Sequence, residues 1–196
     1  ALNLTPGVIL SRRTTTGGLD PKTGYSISFD NRFGTKAVTD ANFFRSELVI
    51  KGVFSPTERT RVLYKLMQGG IFGSDANKVP PSMRFFVGGE QTLRGFGYKT
   101  QSSRRLGYLT GSRYLTAGTL EYMFPVGIEN SRGAVFLDSA ICTNSYSKDK
   151  LVLYGPGIGF RYMSKYGTIK VDLAYGIDNK NDNRQFKLHL SFGPEF

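Results

Sequence analysis

Gln185-Phe186-Lys187-Leu188-His189-Leu190-Ser191-Phe192 decides the fold. Apolar side chains fall at every second position, and the residues between them are polar or charged. An extended strand sends alternate side chains to opposite faces, whereas a helix would scatter these four apolar groups around its axis. The segment reads as a strand with one apolar and one polar face. The stretch before it has the same period, with Ile169, Val171, Leu173 and Tyr175 set against Lys170, Asp172 and Ala174. Upstream of the turn Ser164-Lys165-Tyr166-Gly167, the residues Val152, Tyr154, Ile158, Phe160 and Tyr162 oppose Gly155, Gly157, Gly159 and Arg161.

The pattern continues towards the N-terminus. Strands are expected near 131–140 and 113–124, the latter with Leu120, Tyr122 and Phe124 outward and Thr119 and Glu121 inward. Further strands are expected at 59–68, 44–54, 24–33 and 2–13. About nine antiparallel strands of roughly 9–12 residues result, the length a tilted strand needs to cross a bilayer. The connections Ser55–Glu58, Pro125–Asn130 and Ser164–Gly167 are tight, while 69–112 is very long and 141–150 and 177–183 are moderate and polar. Short turns at one end and longer loops at the other describe an outer-membrane barrel. With a periplasmic C-terminus, parity puts the 69–112 loop at the external end.

The expected fold is therefore all-β, the C-terminal part of a transmembrane β-barrel. Bacterial single-chain barrels carry even strand numbers, and a partial barrel leaves strand edges in lipid, where each orphan backbone group costs on the order of several kcal/mol. Ala1-Leu2-Asn3-Leu4 also reads as mid-strand, so the natural start is expected upstream.

Composition agrees with this reading. The 196 residues include 24 Gly, 15 Phe and 11 Tyr but no Trp, and no apolar run is long enough for a transmembrane helix. A net charge of +11 invites a nucleic-acid reading, but the basic residues are scattered over strands and loops and form no stripe or tail. No nucleic-acid partner is expected. A basic surface suits anionic lipid headgroups or lipopolysaccharide phosphates. The lone Cys142 forms no internal disulfide, and no His/Cys/carboxylate cluster has metal spacing. The glycines from Gly88 to Gly97 lack the Lys-Ser/Thr of a phosphate-binding loop, and the single histidine, His189, sits on a strand face. No enzyme, cofactor or metal is expected.

One segment breaks the alternation: Arg84-Phe85-Phe86-Val87-Gly88-Gly89-Glu90-Gln91-Thr92-Leu93-Arg94-Gly95-Phe96-Gly97-Tyr98. A doubled glycine and an Arg-Gly-aromatic triplet do not make a core strand, because glycine packs nothing and loosens the backbone. Long ordered loops are usually functional.

Val87-Gly88-Gly89 followed by Leu93-Arg94-Gly95-Phe96, with the aromatic final strand, resembles the BamA/TamA superfamily of outer-membrane assembly factors and two-partner secretion transporters. The TamA branch is the closest likeness. It runs through Pro80–Phe86, Gly111-Ser112-Arg113, Leu120-Glu121-Tyr122, Ala134–Ser139, Gly157–Arg161 and Gly193-Pro194-Glu195-Phe196. The resemblance implies a sixteen-stranded barrel behind periplasmic POTRA domains, with the motif loop inserted into the lumen. Residues 1–196 then form the C-terminal portion of that barrel (a surface-antigen-type domain), and the POTRA domains and first strands are absent.

Gly88, Gly89, Leu93, Arg94, Gly95 and Phe96 would form the motif loop. The family's arginine meets lumenal acids, which map to Glu121 and Asp138, and the alternation independently turns both inward. The glycine column Gly155, Gly157 and Gly159 would let the loop backbone approach the wall.

The gate strand would comprise Phe186, Leu188, Leu190, Ser191 and Phe192, with Phe196 beyond it. Ser191 stands where family gate strands often carry a glycine. The implied function is insertion or translocation of β-barrel or autotransporter proteins at the outer membrane of a Gram-negative bacterium, through a lateral seam. Unfolded outer-membrane proteins would be substrates, and a periplasm-spanning, TamB-like inner-membrane protein a partner. The alternative is a two-partner secretion pore exporting an exoprotein.

Overall fold

The structure, a computed structural model, describes residues 4–16, 18, 20–37, 39, 41–73, 78–146, 150–180 and 184–193. Its strands are β1 (Gly7–Thr16), β2 (Thr23–Gly34), β3 (Phe43–Phe54), β4 (Arg61–Gly73), β5 (Arg104–Arg105), β6 (Tyr108–Leu109), β7 (Tyr114–Pro125), β8 (Ser131–Thr143), β9 (Leu151–Ser164), β10 (Gly167–Asp178) and β11 (Arg184–Gly193). Nine of them form one antiparallel sheet in the order β1-β2-β3-β4-β7-β8-β9-β10-β11. Each long strand pairs with its neighbour in sequence, as tight turns demand, and the long loop simply separates β4 from β7. The small hairpin β5–β6 lies within that loop. Two-residue strands are too short for a period to show, and the sequence reading does not anticipate them.

Two strands differ most from expectation, while β8 also runs on to Thr143 and the others shift by a residue or two. The first strand, expected over 2–13, runs from Gly7 to Thr16, in register with Arg32 to Thr23 of β2. Leu4–Pro6 is outside it: Pro6 has no N–H for a ladder, although its carbonyl accepts the Phe33 N–H at 2.9 Å. Residues 1–3 lie outside the described residues. β4 continues to Gly73 through Gly69-Gly70, which read as loop in the sequence. Those glycines pair with Leu115 and Tyr114 of β7. A Cβ on Gly69 would lie 2.4 Å from the Phe85 ring, so the glycine is strand backbone made thin to admit a side chain from the loop.

Register assigns the faces. Phe186, Leu188, Leu190 and Phe192 are 64–74% exposed and share the outer face with Leu120, Leu137, Ile158 and Leu173. So much exposed apolar surface is the lipid-facing band of a barrel wall and would be a liability in water. Aromatic rings rim it at the loop end, where Phe33, Phe44, Phe72, Tyr114 and Tyr146 follow one another across the strands with centroids 5.0–6.2 Å apart. Tyr122 and Phe124 stack at the turn end.

The inner face is divided. Towards the loop end, Phe43, Ile71, Leu115, Ala140, Leu151 and Leu153 form a buried core with Val79, Phe85, Val87, Leu93 and Phe96 from the long loop. Towards the turn end lies a polar cavity of about 400 Å³ whose lining includes Lys51, Lys65, Glu90 and Lys170.

Candidate functional site

The loop between β4 and β7 enters the lumen as two arms and a compact tip. Phe85 and Ser112 exchange backbone hydrogen bonds at 2.8 and 3.0 Å, as do Val87 and Gln101. Arg84 pins the base of the loop, donating from Nε to Val79 O at 2.8 Å and from Nη1 to Thr110 O at 2.7 Å. At the tip, Gly89 N–H donates to Leu93 O and Phe96 O. Gly88 has φ +117°, and a Cβ there would sit 2.0 Å from Gly97 O, so this fold of the tip needs glycine. Leu93 and Phe96 are fully buried in the lumenal core. Arg45 of β3 donates to Met83 O at 3.0 Å, and Lys65 of β4 donates to Gln91 O.

Between the two buried anchors, Leu93 and Phe96, Arg94 is carried against the wall. Its guanidinium grips Asp138 of β8 in a fork, Nε to Oδ2 and Nη2 to Oδ1, both at 2.9 Å. Nη1 donates to Glu121 of β7 at 2.6 Å and to Asp172 of β10 at 3.2 Å. The Arg94 backbone N–H also reaches Asp138 Oδ2, at 3.0 Å, and the guanidinium lies over the Phe136 ring, 3.3 Å from its centroid. Glu121 and Asp138 are thus both first contacts of Arg94.

Asp172 and Arg161 belong to the same cluster. Arg161 of β9 donates to Glu121 Oε1 at 2.8 Å and to Asp172 Oδ1 at 2.5 Å. Two guanidinium groups and three carboxylates, each side chain at most 8% exposed, thus share one lumenal network. The sequence turns Arg161 and Asp172 inward, with Asp172 expected to neutralise some of the lumenal cations Arg161, Lys170, Lys187 and His189, but it does not join either residue to Arg94. Their common register near Gly159 was the available signal, since Asp172 pairs directly with that glycine.

The glycine column serves several occupants. A Cβ on Gly155 would lie 3.1 Å from Gly95 N, so the loop does rest there. Gly157 instead makes room for the Phe136 ring, and Gly159 for Asp172 and Arg161. The closest approach of loop to wall is at Gly176 of β10, where a Cβ would meet Gly95 O at 2.2 Å. That glycine carries no sequence signal, because contact between Gly95 and Gly176 is a matter of packing.

The final strand, β11, begins one residue earlier than the expected 185–193. Its outer residues Phe186, Leu188, Leu190 and Phe192 point away from the lumen, while His189 and Ser191 point inward. Ser191 pairs regularly with Lys170. Phe196 lies outside the described residues. Among the described strands β11 pairs with β10.

An antiparallel wall with a lipid-facing outside and a latched internal loop defines a class: transmembrane β-barrels whose lumen is occupied by their own loop. The family follows from comparison. The model described as the Omp85 superfamily domain matches residues 3–196, and the chain belongs to that superfamily. Its fold is similar to that of BamA from Haemophilus ducreyi lacking POTRA domains 1–3, with a TM-score of 0.73 at 17% identity. The match covers 94% of this chain and 42% of that one, so this chain spans less than half of that protein's length.

Proposed function

We propose that residues 1–196 are the C-terminal portion of the barrel of a TamA-like assembly factor, which follows POTRA domains and the first strands of the barrel. It acts in the outer membrane of a Gram-negative bacterium and helps β-barrel or autotransporter proteins to insert into that membrane or to cross it. Membership of the Omp85 superfamily supports the general role. The observation that carries the reading is that superfamily match over residues 3–196, together with the outward apolar face of β11, the strand whose far edge falls to the part of the barrel outside residues 1–196.

Unpaired N–H and C=O groups in hydrocarbon cost on the order of several kcal/mol each, so an incoming strand that pairs with them is stabilised by β-augmentation. In the whole protein this edge meets the first strand of the barrel, and the seam between them is where a substrate strand enters. Unfolded outer-membrane proteins are the substrates. Lipid, lipopolysaccharide phosphates and a TamB-like inner-membrane protein are the partners. The latched loop holds the lumen closed meanwhile, and the reaction makes and breaks hydrogen bonds but no covalent bond.

A disulfide across the seam of the full-length protein tests this. Cys142 is buried and will not compete with the engineered pair. Locking the seam is expected to stop insertion of a β-barrel substrate in proteoliposomes, and reduction to restore it. Undiminished insertion with the lock closed would remove the seam from the mechanism and favour export through the lumen, as in two-partner secretion.

A further inference from the structure

β11 is bound on its inner face by the loop itself. Two consecutive inward residues of the strand reach it. His189 Nε2 lies 2.6 Å from Arg94 O, and Ser191 Oγ donates to Glu90 Oε1 at 2.9 Å. A carbonyl oxygen can only accept, so the imidazole donates, which both its protonated form and its neutral Nε2–H form can do. Glu90 and Arg94 are four residues apart at the curled tip of the loop. His189 and Ser191 are about 7 Å apart along an extended strand. The tip therefore offers two acceptors at the spacing of two neighbouring inward positions. Glu90 is held from the other side by Lys170 of β10 at 3.9 Å, the residue that pairs with Ser191 in the ladder.

Arg94 has two roles in this arrangement. Its side chain is fixed to Asp138, Glu121 and Asp172, and its carbonyl holds His189. The edge strand is thus tied to β7, β8 and β10 through one loop residue as well as through its ladder with β10. No other inward side chain of β11 is needed for this link.

We propose that the loop is a clasp on the edge strand, with His189 and Ser191 as its positioning residues, so that unseating the loop and loosening β11 are one coupled event. An incoming substrate strand that displaces β11 then also loosens the loop, and a seated loop keeps the edge ordered between substrates. This rests on the edge-strand reading above, to which it adds regulation.

Hydrogen–deuterium exchange of the full-length protein in lipid vesicles tests it. Exchange of the 184–193 amides in His189→Ala/Ser191→Ala is expected to rise at least about tenfold over wild type, since two hydrogen bonds are lost, one of them to a carboxylate. His189→Gln/Ser191→Thr keeps a donor at each position and is expected to restore most of the protection. Glu90→Ala is expected to loosen β11 from the loop side and to add little in a chain already lacking the Ser191 hydroxyl.

Unchanged β11 exchange in the double alanine variant would overturn the clasp. So would equal loosening in the double alanine and the Gln/Thr variants, because packing alone would then explain the effect. Faster β11 exchange with substrate insertion unaffected would leave the clasp standing and count against the seam as the route.

Discussion

Arg94 illustrates what one residue does in a low-dielectric lumen. Its planar guanidinium offers five donors in a fixed fork, and four N–H···O contacts with three carboxylates use them. Removing it strips Asp138 of its fork and leaves Glu121 and Asp172 to Arg161, all three carboxylates being buried. Breaking such a network costs about 3–5 kcal/mol, far above the value of an exposed pair. Arg94→Ala is therefore expected to release the loop, exposing the 85–110 segment to protease while the strands persist. Arg94→Lys keeps the charge but not the fork and is expected to fall between wild type and alanine. Equal cleavage in wild type and Arg94→Ala would show that Arg94 does not tether the loop.

Alternation alone turns Glu121 and Asp138 inward. It could not say that Arg161 and Asp172 complete the network, because the five residues come from the loop and four different strands, and lateral distances are not encoded in a period of two.

At the scale of elements, the loop and the β9–β10 wall fit because both are bare where they touch. Gly95 lies against Gly176 and Gly155, backbone to backbone. A methyl group on Gly176 would collide with the Gly95 carbonyl, which has no rotamer to escape into, and overpacking of this kind costs about 1–3 kcal/mol. Gly176→Ala is expected to unseat the tip and expose the same protease sites as Arg94→Ala. Gly118→Ala is the control: its Cβ would find its nearest neighbour, Leu66 Cδ2, at 3.6 Å, ordinary contact on the outer face. Protease sensitivity equal in the two variants would contradict the close fit.

The same comparison shows why strand ends were harder to read than strands. Gly69-Gly70 resembles a loop in sequence, yet it is strand, because the missing side chain of Gly69 accommodates Phe85, sixteen residues further along the chain, in the core. A glycine's meaning depends on what lies over it.

For the whole molecule, one ionic contact spans the turn end of the sheet. Asp20, in the connection between β1 and β2, receives Arg132 of β8 through two hydrogen bonds of 3.0 and 3.1 Å and pairs with Arg61 of β4 at 2.5 Å. It joins strands far apart in the sheet order and holds the wall in its curve. Partial burial acts to raise the Asp20 carboxyl, but the hydrogen bonds and charges of Arg132 and Arg61 outweigh it and hold the group below its ordinary value of 3.8. A carboxyl depressed in the folded state contributes stability that is present above its unfolded pKa and lost as the pH falls through the folded pKa. The stability difference between wild type and Asp20→Asn, measured by thermal unfolding in detergent, is expected to be full at about pH 7 and to shrink below about pH 4. A difference independent of pH would mean that the Asp20 charge plays no part.

The sequence by itself determined the strands, their faces and the two kinds of connection. Each rests on a local rule: alternate side chains of an extended chain point to opposite sides, and a bilayer sets how long a crossing strand must be. Only the tertiary structure decided which lumenal residues meet. Arg94 lies 44 residues from Asp138 and 95 from His189 in the chain, and no periodicity relates them. Their meeting follows from the curl of the sheet and from glycines thin enough to let the loop come to rest against it.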